Sequence, residues 1–235
     1  YMPHTFPHVP LFASEQFRGK SARGIYGDTV EELDWSVGEI LNALRKEKLD
    51  KNTLVVFTSD NGPWLNKNLA GGTGGHLRDG KGGTWEGGMR VPAIAWWPDT
   101  IKAGVINREL AGTMDLFSTA LSLAGVQPPS DRIIDGVDMT PLLTGKGPGK
   151  RDVHFFYYGD ELYAIRKGPF KAHFVTHDGY SKEPPQRHDP PLLFHLGYDP
   201  SETVNLAAAY PDVIQQILQE KSRHEAALVK GKPVY

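Results

Sequence analysis

The run Leu54, Val55, Val56, Phe57, which breaks off into Thr58-Ser59-Asp60-Asn61-Gly62, constrains this chain more than any other stretch. Four apolar residues in succession leave no polar face, which predicts a short strand covered on both sides within an α/β layer. Ligands of such sheets sit beyond the carboxyl ends of the strands. There Asp60 and Asn61 offer a carboxylate and an amide carbonyl, the hard oxygen donors that Ca2+ or Mg2+ prefers. Asp-Asn-Gly is equally a good turn sequence, and Asn-Gly a common hairpin signal. Against a hairpin, Pro63-Trp64-Leu65-Asn66 does not begin an alternating return strand.

The flanks extend this pattern. Thr29 and Glu32 read as a capping box, and apolar residues at 30, 33, 37, 40, 41 and 44 predict an amphipathic helix ending near Lys48. Before it, residues 1–12 hold Pro3, Pro7 and Pro10 with His4 and His8, and predict a rigid extended segment. A loop histidine is ordinarily just solvated, although Pro7 and Pro10 restrain the backbone around His8. After the strand comes a loop over 63–92, with nine glycines between Gly71 and Gly88. No helix or strand is expected there, but Trp64, Trp85, Met89 and Val91 argue for an ordered loop, one that lays backbone close to an anion. Residues 75–82, GHLRDGKG, nearly spell a nucleotide-binding P-loop. That reading fails because Gly82 has no hydroxyl for Mg2+ and the loop joins no strand to a capped helix. Lys81 between glycines can aim a point charge at a tetrahedral anion, or simply face solvent. Arg78, Glu86 and Arg90 are expected to pair with one another or with backbone.

Residues 92–97 read as a second strand and 115–124 as a helix closed by Gly125. From about residue 150 the character changes, with short strands at 155–158, 162–166, 170–175 and 192–196, joined closely enough to be antiparallel. A helix follows from Pro211 to about Val229, with Val213, Ile214, Ile217, Leu218 and Leu228 as its apolar face. The expectation is two parts, 1–149 carrying a site and 150–235 as a small α+β unit. His154, His173, His177, His188 and His195 lack metal-ligand spacing and read as structural or solvated.

Composition removes several function classes. The formal net charge of −2, with both signs interspersed, gives no basic stripe for nucleic acid. The absence of cysteine excludes disulfides, thiolate metal sites and a cysteine nucleophile within these residues. No apolar run approaches the length of a membrane span. With 26 glycines and 18 prolines, ordered loops are expected to carry much of the chain. It begins at Tyr1 and is expected to be a piece of something longer.

These residues together resemble the type I sulfatase family, in particular its arylsulfatase members. PHVPL at 7–11, GIYGDTVEELDWSVGEIL at 24–41, TLVVFTSDNGP at 53–63, LRDGKGGTWEGGMRVPAIAWWP at 77–98, DGVDMTPLLTG at 135–145 and DPSETVNL at 199–206 look like that family's landmarks, in its order. The resemblance covers nearly the whole chain. It implies an α/β fold of the alkaline phosphatase-like type, a mixed-sheet sandwich followed by a small α+β domain with an antiparallel sheet and a long C-terminal helix.

The resemblance also assigns roles. Asp60 and Asn61 fall on ligands of a divalent cation, Ca2+ more often than Mg2+. Lys81 falls on the lysine that holds the sulfate, and His8 on the histidine that contacts the sulfate ester and protonates its leaving oxygen. The family's nucleophile is a formylglycine made within a Cys/Ser-X-Pro-X-Arg motif, which this sequence lacks, as it lacks the paired metal aspartates and the second lysine and histidine. The implied activity is hydrolysis of sulfate esters of small molecules or glycans, with this chain inactive by itself. The alternatives are a phosphomonoesterase or phosphodiesterase of the same superfamily and a non-catalytic binding module. The implied compartment is periplasmic or secreted in a bacterium and lysosomal in an animal; the absence of cysteines and glycosylation acceptors favours the bacterial case.

Overall fold

The computed structural model describes residues 1–229 and 231. The chain divides into two compact units, one formed by 1–74 with 90–150 and the other by 75–89 with 151–235.

In the first unit, α1 (Gly24–Lys46) carries Arg45 and Lys46 in its last turn, where cations suit the helix dipole. It begins before the expected capping box. Thr29 lies inside the helix and is buried, its hydroxyl donating to the Ile25 and Phe12 carbonyls at 2.8 and 3.0 Å. The start is fixed instead by Asp28, which accepts the backbone N–H groups of Gly19, Lys20 and Ser21 at 2.8, 3.1 and 2.8 Å. These bonds, Ser21's first, hold its carboxyl below the ordinary range. Glu32 accepts the Ser14 N–H rather than reaching back to the helix start.

Strand β1 (Val55–Thr58) pairs antiparallel with β2 (Ala93–Trp96), Val55 opposite Trp96 and Thr58 opposite Ala93. Neither strand is buried on both faces as the apolar run predicts: β1 is half-buried throughout and Ile94 of β2 is 64% exposed. The loop also holds more regular structure than its glycines suggest, with a 3-10 segment at Leu65–Ala70 kinked at Asn68 and the single turn α2 (Glu86–Met89). The segment holds because the Trp64 carbonyl accepts from Lys67 and the Trp64 N–H donates to Gly71. Helices α3 (Asp115–Leu123) and α4 (Thr140–Thr144) complete the unit. The strap between them is held by buried polar groups. The Asp115 carboxylate accepts from the Gly112 and Val137 N–H groups, both at 2.8 Å, and the Thr119 hydroxyl accepts from Met139 N–H at 2.9 Å.

The second unit is a four-stranded antiparallel meander in the order β3 (Val153–Tyr158), β4 (Glu161–Lys167), β5 (Phe170–Thr176), β6 (Gln186–His195), with α5 (Pro211–Ala227) packed on it. Gly168-Pro169 forms the two-residue link between Lys167 and Phe170, with Gly168 at φ +54. Alternation sends successive side chains to opposite faces, and a register shift between Phe156 and Tyr157, opposite Tyr163, lets Leu162 and Ile165 share one face. On one face Leu162, Ile165, Ala172 and Leu193 pack against Ile214 and Ile217 of α5, with Val213 and Leu218 at the margin. Leu228, expected on that apolar face, lies past the helix end and is 45% exposed. The other face carries charge and receives residues 75–89.

Candidate active site

Four residues are site candidates from the sequence, and the structure divides them between the two units. In the first unit Asp60 and Asn61 follow directly on β1, Asp60 exposed and Asn61 half-buried. The Ser59 hydroxyl donates to the Asn61 carbonyl at 3.2 Å and that of Thr58 to the Pro92 carbonyl at 3.0 Å, fixing the backbone at the strand end. His8 belongs to the same unit. Its imidazole rests on the indole of Trp64, three positions past Asn61, at 5.2 Å between ring centroids. Its Nδ1 lies 2.7 Å from the Val9 carbonyl oxygen. A carbonyl only accepts, so Nδ1 carries the hydrogen and Nε2 is the atom left to exchange a proton.

Lys81 belongs to the second unit and is half-buried. It stands in a turn closed by the Gly83 N–H donating to the Gly80 carbonyl at 3.1 Å. On one side of the turn, Asp79 Oδ2 accepts the Gly179 N–H at 2.8 Å, and burial raises its carboxyl pKa against the pull of the Gly179 and Gly80 amides. On the other, the Gly87 N–H donates to the Arg78 carbonyl at 2.7 Å. A Cβ at Gly87 would overlap the carbonyls of Arg78 and Asp79, so this crossing requires glycine.

The loop is pinned to the sheet by a buried ionic cluster. Lys171 of β5, fully buried, donates to the Thr84 carbonyl at 2.7 Å and to Glu86 Oε1 at 3.0 Å, and lies 3.3 Å from Glu202 Oε1. The Glu86 N–H donates to Glu202 Oε2 at 2.6 Å, and Arg166 stands 4.0 Å from the Glu86 carboxylate. His173, also fully buried, holds Glu202 Oε1 through Nε2 at 2.7 Å, while its Nδ1 has no hydrogen-bond partner among the described residues. That is the Nε2–H neutral tautomer, because a second N–H would be buried with nothing to accept it. Burial accordingly pushes its pKa down to about 4, with Lys171 acting in the same direction and the hydrogen bond to Glu202 against it. Burial alone raises Glu202, but the His173 hydrogen bond, Lys171 and the Glu86 amide outweigh it and hold the carboxyl below its ordinary value. Trp85 seals the cluster, its ring 4.2 Å from His173, under the Arg78 guanidinium at 3.5 Å, its Nε1 donating to Asp178 at 3.1 Å.

The expectation that Arg78, Glu86 and Arg90 pair with one another or with backbone holds for Arg78, which donates to the Glu202 backbone carbonyl at 3.1 Å, and is corrected for Glu86, whose carboxylate pairs with Lys171. Sequence reasoning passed over Lys171 and Glu202 altogether. The signal was Lys171 and His173 at i and i+2 in an otherwise apolar strand, two polar residues on one face that needed partners.

Known proteins agree with this architecture. The sulfatase family model matches residues 3–126, and a second, described as the C-terminal region of aryl-sulfatase, matches 149–235. The chain is 44% identical over 250 aligned residues to N-acetylgalactosamine-6-sulfatase of Canis lupus familiaris, covering 96% of this chain and 48% of the relative. It is 41% identical to arylsulfatase A of Bos taurus, with 95% and 48% covered. The crystal structure of the sulfatase PsFucS1 from Pseudoalteromonas sp. superimposes with a TM-score of 0.86 at 30% identity, over 93% of this chain and 46% of that one. The fold is thus of the alkaline phosphatase-like type, and the chain spans about half the length of the curated relatives it matches. By the match of more than half its residues to the family model, the chain belongs to the sulfatase family.

Proposed function

We propose that the protein carrying this chain hydrolyses sulfate esters of small molecules or glycans, with His8 as leaving-group acid, Lys81 as anion clamp, and Asp60 and Asn61 as ligands of a divalent cation, Ca2+ before Mg2+. The observation that carries the reading is the co-occurrence, within a sulfatase-family chain, of TSDNG at the end of β1 and GKGGTWEGG in a loop anchored by its own buried ions.

Sulfatase membership implies a divalent metal and a formylglycine, which when present supply charge neutralisation and the nucleophile. The donor chemistry here fits a hard cation: a carboxylate and an amide carbonyl, adjacent at a strand end. The set is partial, since no group of three or more His, Asp or Glu side chains placed to hold a metal occurs among the described residues. The remaining ligands of such a site, and its formylglycine, would come from residues other than these.

His8 does what its geometry allows. With Nδ1–H committed to the Val9 carbonyl, protonation at Nε2 makes a directed acid that can hand its proton to a departing alkoxide. Lys81 brings a compact charge to a sulfate oxygen, where it stabilises the growing negative charge. The relatives' names span aryl and N-acetylgalactosamine sulfates, and the substrate class proposed spans both.

The test is steady-state kinetics of the protein that contains this chain. Lys81→Ala is expected to lower kcat/KM by roughly 100-fold or more. His8→Ala should be much more harmful with an alkyl sulfate than with 4-nitrophenyl sulfate, whose phenolate leaves unaided. Asp60→Ala should raise the Ca2+ concentration needed after chelation. Unchanged kinetics in Lys81→Ala and His8→Ala would overturn the assignment.

A further inference from the structure

Buried ion clusters are poor stabilisers: desolvation offsets most of their attraction, and well-packed apolar residues of equal volume serve as well or better. Their best-attested use is to fix register. In this unit the cluster joins two segments far apart in sequence, and between its anchor points lies Lys81. Thr84 and Glu86 are held by Lys171 and Glu202. Asp79 is held by Gly179, and residues 78 and 87 are bonded to each other. The turn over 80–83 is thus clamped at both ends. Its outer side is covered too, because a Cβ on Gly82, at φ +92, would lie 3.1 Å from the Tyr180 ring, and one on Gly179 would overlap the Lys81 carbonyl. The charges balance with His173 neutral: Lys171 and Arg166 face Glu86 and Glu202.

We propose that Lys171, His173 and Glu202, together with the turn at residues 178–180, are positioning residues for Lys81, holding its backbone so that the ammonium meets the substrate's sulfate group. This rests on the reading of Lys81 as the anion clamp. Lysine reaches its target on a flexible four-carbon stem, so its precision depends on where its Cα is held. A displacement of about 1 Å can cost around 100-fold in rate.

The experiment is a double-mutant cycle in the full protein, reading kcat/KM for 4-nitrophenyl sulfate and the affinity for inorganic sulfate. Lys171→Met and Gly179→Ala are each made in the wild-type and Lys81→Ala backgrounds. Gly179→Ala pushes on the Lys81 carbonyl from an outer turn and leaves the buried cluster intact, so it carries the cycle if Lys171→Met does not fold. Each single change is expected to lower kcat/KM and sulfate affinity by roughly 10- to 100-fold, and to cause no further loss once Lys81 is alanine. Equal losses in both backgrounds, or no loss from Gly179→Ala, would overturn the positioning role and leave Lys81 in the site. If Lys81→Ala itself changes neither quantity, the underlying reading is what fails.

Discussion

The two units are held together by different physics. In the second, Ile165, Ala172, Leu193 and Ile217 are fully buried between sheet and helix, and the opposite sheet face closes over Lys171, His173 and Glu202. In the first, the buried hydrophobics among the described residues are Ala13 and Met139, while Asp28, Thr29, Asp115 and Thr119 are buried polar groups that tie loops to helices. Leu69, Ile94 and Ile106 of that unit are 93%, 64% and 82% exposed. The second unit therefore owns a dry core on which function can be mounted. The first is organised by hydrogen-bonded carboxylates and presents apolar side chains outward.

The difference predicts where substitutions hurt. Lys171→Met, which strips the buried cation from two carboxylates, is expected to cost about 3–5 kcal/mol in urea unfolding. A loss under about 1 kcal/mol would mean that water reaches the cluster. Ile217→Ala should cost about 3 kcal/mol, as a cavity opens against Ile165 and Leu193. If that loss appears in hydrogen exchange of the first unit as well, the contrast between the units is weaker than their burial implies.

Acid should separate the units next. His173 has a pKa of about 4 when buried against an ordinary 6.5, so between these values the unfolded chain binds a proton that the folded one refuses. Stability is then complete above about pH 6.5 and declines as pH falls, by roughly 2–3 kcal/mol between pH 7 and 4.5. Glu202, held below its ordinary 4.5, adds a loss of the same sign at still lower pH. His173→Gln, which keeps a donor for Glu202 without titrating, should flatten the profile between pH 4.5 and 6.5. A profile unchanged in that variant would remove His173 as its origin.

Much of this was legible in the sequence where side-chain pattern and local structure coincide. The first three strands of the second unit and the Pro211 helix start follow from alternation and backbone chemistry and formed close to their expected places, whereas β6 begins at Gln186, six residues before the expected 192. What the pattern could not supply was partnership over distance. Lys171 meets Glu86 across 85 positions, and the Glu86 amide meets Glu202 across 116. Thr29-x-x-Glu32 read as a cap because the competing anchor, Asp28 on the amides of 19–21, has no local signature. The glycines between 71 and 88 read as a loop without helix or strand, and the partners of that loop stayed hidden because the glycines' role is close approach, as at Gly87 under the Arg78 carbonyl, which depends on the fold around them. The strand end pointed to Asp60 and Asn61 and the flanking glycines to Lys81, while the resemblance supplied the roles proposed for them and for His8.

The smallest expected effect bears most directly on the contrast between the units. Ile94 stands on β2, opposite Phe57, with most of its side chain in water. Burial of an isoleucine is worth about 1.5–3 kcal/mol, and an exposed one forfeits nearly all of it. Ile94→Ser in a chain of these 235 residues should therefore shift stability by no more than about 0.5 kcal/mol in urea unfolding. The same substitution made in a longer protein containing this chain reads out what lies on β2 there. A loss above about 2 kcal/mol would mean that the face is covered by residues outside this chain, so that the first unit borrows the core it lacks. A loss as small as in the 235-residue chain would mean that its carboxylate hydrogen bonds hold it without one.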